Sequence, residues 1–174
     1  ALCALNEDSI RRRTAWFEQN SDRFARLSDD PVRAAYALLL ARFGITPDEA
    51  PIIFGDGTRI VFHSQNFCPT LEACNRLGLD TRYVCKRLNE DATNRLIQLI
   101  DPRLRFSRNY EYLRPYSPFC EEMIWLADAK PGIQKKVSSR YRRRESAAFL
   151  PSKYPRFPLL PSMDFPCITR SFHA

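Results

Sequence analysis

Residues 51–64, PIIFGDGTRIVFHS, predict a β-hairpin, and this hairpin decides the fold class of the chain. Two apolar runs surround Gly55-Asp56-Gly57. A short loop of glycine and aspartate between apolar runs is typical of a tight turn between paired strands. Because helical patterns stand on both sides of the hairpin, the chain belongs among proteins that combine helices with an antiparallel sheet.

Two helical patterns precede the hairpin. Residues 8–27, DSIRRRTAWFEQNSDRFARL, have the apolar spacing of one amphipathic helix. A second helix is predicted after Asp30, which is a favourable N-cap residue, and Pro31 suits its first position. Gly44 predicts the end of this helix, since glycine is common just past a helix C-terminus.

Shorter helical patterns follow the hairpin. PTLEACNRLG, residues 69–78, predicts a short helix that ends at its glycine. We expect Asp80 or Thr81 to cap a second short helix, and Asn89 to cap a third one directly after it.

LRFSRNYEYL (104–113) and FCEEMIWLA (119–127) predict two further strands, joined by a proline-rich turn. We therefore predict an α+β fold in which N-terminal helices are followed by a hairpin, short helices and a second hairpin, forming one antiparallel sheet. Residues 5–133 are expected to form this single domain, and residues 134–174 a basic, proline-rich tail that is mostly irregular.

The net charge of +7 comes from the predicted tail, where residues 134–174 hold 9 Lys and Arg against 2 Asp and Glu. Residues 1–133 hold 18 of each sign, so the domain itself is neutral and nucleic acid is not an expected partner. We recognise no bilayer-length apolar run and no signal peptide, so we expect a cytoplasmic protein without membrane contact. The sequence does not indicate an oligomeric state.

Cys68 lies in the stretch FHSQNFCPTLEAC (62–74) and is followed by Pro69, which predicts that it caps the next helix. A thiol at this position meets unpaired backbone N–H groups and the positive end of the helix dipole, and both stabilise a thiolate. His63 is then a candidate base, and Asn66 a candidate hydrogen-bond donor to a developing anion. The alternative is that Cys68 is a small apolar residue at a helix start.

The chain has six cysteines, an even number, but it shows no sign of secretion, so free thiols, metal ligands or buried cysteines are favoured over disulfides. We expect Cys74 and Cys85 to lie in the core. Cys120 follows the proline-rich turn, and together with Cys68 it could bind zinc or another thiophilic metal. The spacing lacks the close cysteine pairs that are typical of zinc sites.

Arg108 and Arg114 belong to a segment in which arginines alternate with aromatic residues. Arginine pairs bidentately with carboxylate or phosphate, so either residue could hold an anionic ligand. The favoured alternative is pairing across the sheet with Glu111, Glu121 or Glu122.

NFCPTLEACNRLGLDTRYVCKRL (66–88) and LRFSRNYEYLRPYSPFCEEMIWL (104–126) resemble the family of L-2-amino-thiazoline-4-carboxylic acid hydrolase-like proteins. More distantly, they resemble small-molecule-binding domains of the 4-vinyl reductase type. The resemblance implies hydrolysis of a cyclic C–N bond, or binding of a small ligand or metal through cysteine. Cys120 and Cys68 are the cysteines that correspond to the family pattern.

Our leading hypothesis is a small-molecule-binding domain of hydrolase-like type that uses a cysteine at a helix N-terminus. Its site comprises Cys68 and His63 as catalytic residues, with Asn66, Arg108 and Arg114 as substrate-binding residues. One alternative is a non-catalytic sensor or carrier that binds a metal or small ligand through Cys68 and Cys120. Another is a structural interaction module with buried thiols.

Overall fold

A computed structural model describes residues 2–25 and 30–127 of the chain. The predicted tail, residues 134–174, lies outside the described residues. Within the described ranges, no helix is long and apolar enough to cross a membrane. The first helices are α1 (Leu2–Glu18), α2 (Ser21–Ala25) and α3 (Pro31–Phe43).

The prediction of one helix over residues 8–27 is wrong, because the chain turns at Asn20 between α1 and α2. The Asn20 side chain donates from Nδ2 to the carbonyl oxygen of Trp16 at 2.7 Å. Its backbone N–H bonds the carbonyl of Phe17 instead, at 2.9 Å. Asparagine interrupts helices in this way because its amide competes with the backbone ladder.

Both ends of α3 lie where the sequence predicts them. The Asp30 carboxylate accepts a hydrogen bond from the backbone N–H of Arg33 at 3.0 Å, and Pro31 occupies the first turn. Gly44 ends the helix with a φ of 65°, in the left-handed region that glycine enters without steric cost. These local signals therefore fix where α3 begins and ends.

The described strands form one antiparallel sheet with the order β1-β2-β4-β3. The strands are β1 (Ile52–Gly55), β2 (Arg59–Ser64), β3 (Leu104–Arg108) and β4 (Cys120–Leu126). Strands β1 and β2 form the first predicted hairpin, and β3 pairs with β4 as the second. The predicted α+β fold class is confirmed.

A second group of helices connects the two hairpins: α4 (Pro69–Leu77), α5 (Thr81–Cys85) and α6 (Asp91–Gln98). The prediction that Asn89 caps a helix is wrong, because Asn89 lies inside a π-helical turn (Lys86–Glu90) that joins α5 to α6 without a break. Asp80, rather than Thr81, caps α5 and accepts a hydrogen bond from the backbone N–H of Arg82 at 2.8 Å.

Helices α3 and α6 pack on one face of the sheet, which we call the inner face. The buried core between them includes Leu38, Leu96, Ile97, Ile60, Phe62, Leu104, Phe106 and Ile124. Successive residues of a strand point to opposite faces. Phe62 and Ser64 therefore face inward, opposite Glu122 and Cys120 of β4, whereas His63 faces the other side of the sheet, which we call the outer face.

Candidate functional site

A cavity of about 300 Å³ lies against the inner face, beside α3 and the start of α4. Small-molecule sites in proteins are typically clefts of this order of volume, with apolar walls and a few polar groups. The apolar lining comprises Leu39, Leu40, Phe43, Ile45, Ala50, Phe62, Phe67, Pro69 and Phe106. The polar lining comprises Arg13, Arg42, Ser64, Asn66, Cys68, Thr70, Cys85, Asn89, Thr93, Arg108, Arg114, Cys120 and Glu122.

Cys68 caps α4, as the sequence predicts. Its Sγ accepts a hydrogen bond from the backbone N–H of Leu71 at 3.5 Å, and Pro69 follows at the first helical position. The thiol is free and half-buried, and the residue lines the cavity. A ligand in the cavity would thus have access to a thiol whose own helix supplies an N–H donor.

The structure does not bring His63 to the cavity. On the outer face, its Nε2 lies 3.2 Å from Oε2 of Glu121, and its ring stacks on Phe119 with centroids 3.6 Å apart. Cys68 borders the inner face, on the other side of the sheet. The role of His63 as the base for Cys68 stays a prediction, and this geometry does not support it.

Asn66 and Cys120 both line the cavity, so the structure brings them together with Cys68. The Asn66 side chain donates to the carbonyl oxygen of Phe67 at 2.8 Å, and Cys120 is a half-buried free thiol. Cys85 was expected in the core and is buried, but it also borders the cavity. Burial raises the pKa of the Cys85 thiol, and likewise the pKa of Cys74.

The described residues offer few ligands for a metal ion. Cys68 and Cys120 share the cavity, but within residues 2–25 and 30–127 no group of three or more His, Cys, Asp or Glu side chains could hold a metal ion. Zinc normally takes four ligands in structural sites and three protein ligands in catalytic sites. Binding of zinc or another thiophilic metal through the two cysteines stays a prediction.

Arg108 lines the cavity with a side chain that is only 11% exposed. Its Nε donates to Oε1 of Glu122 at 2.6 Å, and its guanidinium lies 4.7 Å from the centre of the Phe106 ring. Burial by itself would lower the pKa of Arg108, but the adjacent Glu122 carboxylate outweighs burial and raises it. The predicted pairing of Arg108 with a glutamate across the sheet is thus confirmed, and the glutamate is Glu122. Nη1 of Arg108 is buried without a hydrogen-bond partner in the described part of the chain.

Arg114 also lines the cavity. Its Nη1 donates to the carbonyl oxygen of Gln65 at 3.1 Å. This bond holds the segment after β3 against the segment after β2. Nε of Arg114 is also buried without a partner among the described residues.

Sequence reasoning missed Arg13 and Arg42, which reach the cavity from α1 and α3. Arg13 donates to Oγ1 of Thr93 at 2.8 Å and to Oδ1 of Asn89 at 3.2 Å. Burial, followed by the positive charges of Arg108 and Arg42, lowers the pKa of Arg13 to about 10. A signal existed in the sequence, because Arg13 lies three residues from Trp16 and so shares the apolar side of its helix.

The cavity is strongly positive. Among the described residues, four arginines and one glutamate line it, which leaves a net charge of +3. In a partly desolvated site each such charge acts more strongly than on the surface. The arrangement is suited to hold an anion against apolar walls.

Comparisons with models of protein families, with curated proteins and with solved structures find no match to this chain. The resemblance to the thiazoline-carboxylic acid hydrolase-like family therefore stays a prediction.

Proposed function

We propose that this chain is a small-molecule-binding domain that holds an organic anion in the cavity, with Arg108 as the anchor. One observation carries the proposal: four arginines and a single carboxylate surround a cavity of about 300 Å³, and Nη1 of Arg108 lacks a partner within the described residues. A buried donor without an acceptor costs about 1–3 kcal/mol, which an anionic ligand would recover.

Arg108 is well suited to anchor a carboxylate. Glu122 and the Phe106 ring hold the guanidinium in one orientation, so little conformational freedom would be lost on binding. The planar guanidinium keeps its remaining N–H groups in a fixed geometry that matches two carboxylate oxygens. The apolar side chains Phe43, Phe62 and Phe106 would contact the body of the ligand.

Hydrolysis at Cys68 is the second candidate function, because the half-buried thiol shares the cavity with these arginines. A ligand anchored at Arg108 would lie in the same enclosure as the nucleophile, which is the arrangement that hydrolysis of a C–N bond requires. His63 is on the outer face, so a hydrolytic mechanism needs a different proton acceptor. Binding of the ligand is therefore the primary proposal, and catalysis depends on how reactive Cys68 is.

Benzoate, as a simple aromatic carboxylate, should bind in the cavity and shift the backbone amide NMR signals of Ser64, Asn66 and Cys85. Arg108→Lys keeps the charge but removes the guanidinium fork, so it should weaken benzoate binding at least tenfold, or about 1.4 kcal/mol. The matched control is Arg105→Lys. Arg105 is one position from Phe106 on β3, and its side chain bonds the carbonyls of Pro102 and Leu104, so benzoate affinity should not change.

The proposal fails if benzoate at about 20 mM leaves the NMR signals of these cavity residues unmoved, since Kd values in the millimolar range are the weak end of specific binding. It also fails if Arg105→Lys weakens binding as much as Arg108→Lys does, because the contact would then not involve the cavity.

The rate of alkylation should show whether the arginines of the cavity act on Cys68. We expect iodoacetate, a carboxylate reagent, to label Cys68 of the folded protein before buried Cys74 and Cys85, as read by peptide mass spectrometry. The ratio of iodoacetate to iodoacetamide rates at Cys68 should be at least about fivefold higher in the folded protein than in urea, because the arginines attract the anionic reagent. His63→Ala should leave these rates unchanged. If Cys68 reacts only after unfolding, the thiol is a packing residue and hydrolysis at Cys68 is excluded.

A further inference from the structure

Three arginines from different elements meet at the cavity: Arg13 of α1, Arg42 of α3 and Arg108 of β3. Arg108 has Glu122 as its counter-ion. Arg13 bonds the neutral oxygens of Thr93 and Asn89. Among the described residues, no carboxylate therefore balances the charge of Arg13.

Arg42 also lacks a carboxylate partner within the described chain. Its guanidinium lies 5.4 Å from the centre of the Trp16 ring and 5.8 Å from that of Phe43, and its Nε is buried without a hydrogen-bond acceptor. These ring contacts hold the cation at the cavity but do not neutralise it.

The charges of Arg108 and Arg42 act on Arg13. The pKa of Arg13 is lowered to about 10 first by burial and then by the charges of Arg108 and Arg42. Like charges enclosed in this way destabilise the folded state unless an anion lies between them.

From this cluster we infer, on the basis of the proposed function, that the ligand is an organic phosphate monoester whose doubly charged phosphoryl group lies between Arg13, Arg42 and Arg108.

The charge balance favours a dianion over a monocarboxylate. The net charge of the lining is +3, so a monocarboxylate would leave two positive charges uncompensated, whereas a phosphoryl dianion leaves one. A phosphoryl group also presents three strong acceptor oxygens, which is one for each of the three guanidinium groups. Arginine is the residue type that recognises such groups through paired N–H donors.

The support around Arg13 holds its guanidinium in place. Asn89 accepts from Arg13 through Oδ1 and donates from Nδ2 to Oγ1 of Thr70 at 3.0 Å, and it lies within the π-helical turn. Single π-helical turns within helices are frequent at functional sites. The apolar walls, which include Phe43 and Phe62, favour an ester with an apolar group over free phosphate.

The test compares phenylphosphonate with benzenesulfonate by isothermal titration calorimetry at about pH 8, where the phosphonate is largely doubly charged and the sulfonate singly charged. The two anions have nearly the same shape, so the comparison isolates charge. We expect phenylphosphonate to bind at least tenfold more tightly than benzenesulfonate and than inorganic phosphate. Arg13→Gln should reduce the preference over benzenesulfonate to less than threefold.

The matched control is Arg11→Gln, which removes the same charge from an exposed position of α1. It should leave the preference intact. If Arg13→Gln does not fold, as judged by circular dichroism, Arg42→Gln supplies the same comparison, with exposed Arg33→Gln on α3 as its control.

Equal affinities for phenylphosphonate and benzenesulfonate would contradict the inference that the ligand is doubly charged. They would not contradict the proposed anion site. If inorganic phosphate binds as tightly as phenylphosphonate, the inference that the ligand is an organic monoester is wrong. If these anions and benzoate all fail to bind, the proposed function itself is wrong.

Discussion

Replacement of Glu122 by alanine should lower the free energy of unfolding by roughly 3–5 kcal/mol. The side chains of Arg108 and Glu122 are only 11% and 12% exposed, and Nε and Oε1 lie 2.6 Å apart. Without Glu122, the Arg108 charge stays in the interior with no counter-ion. The Ser64 hydroxyl also loses the acceptor to which it donates at 2.9 Å. Urea unfolding monitored by circular dichroism measures the change.

The double variant Arg108→Met with Glu122→Leu distinguishes the stability cost of an unpaired buried charge from the cost of lost packing. Replacing both partners by apolar groups of similar size removes the buried charge, so we expect the double variant to lose less stability than Glu122→Ala alone. Glu72→Ala is the surface control, because Glu72 pairs with Arg76 where the two side chains are 44% and 77% exposed. That change should stay within about 0.5 kcal/mol. A loss below about 1 kcal/mol for Glu122→Ala would mean that solvent screens the Arg108 pair as it screens a surface pair.

The sequence was sufficient for features that depend on a few adjacent residues. Asp30 with Pro31, and Cys68 with Pro69, predicted helix starts that the structure contains. Gly44 predicted a helix end. In each case the unpaired backbone groups of a helix end are satisfied by a neighbouring side chain or by a neighbouring residue in the left-handed conformation. Adjacent residues in the sequence are therefore enough to predict the helix end.

Features that depend on distant contacts were not predicted. Asn89 resembles a cap in sequence, but its amide bonds Thr70 and Arg13, which are 19 and 76 residues away along the chain. These contacts accompany a continuous helix with one π-helical turn in place of a new helix start. A local pattern does not contain this information.

The position of His63 on the outer face was not predicted for the same reason. In β2, Ile60, Val61 and Phe62 are successive apolar residues, so the strand lacks the alternation that would mark its inner face. Only the helices that cover the sheet decide that Phe62 is buried inward, and this decision sends His63 outward. Arg13 is a different case: it alone is buried in a run of three arginines, and its spacing from Trp16 was a local signal that the sequence analysis missed.

Leu38→Ala should lower the free energy of unfolding by about 2–5 kcal/mol, because it removes a large side chain from the centre of the core. Leu38 is 0% exposed and belongs to the cluster that joins α3 to the inner face of the sheet. The remaining side chains pack at the density of a solid, so they close the resulting cavity only in part. Leu77→Ala on α4 is the matched control, since Leu77 is 70% exposed and its loss should change stability by less than about 0.5 kcal/mol. Equal midpoints of urea unfolding for the two variants would show that α3 does not pack on the sheet as described, and the cavity that α3 helps to enclose would then lose one of its walls.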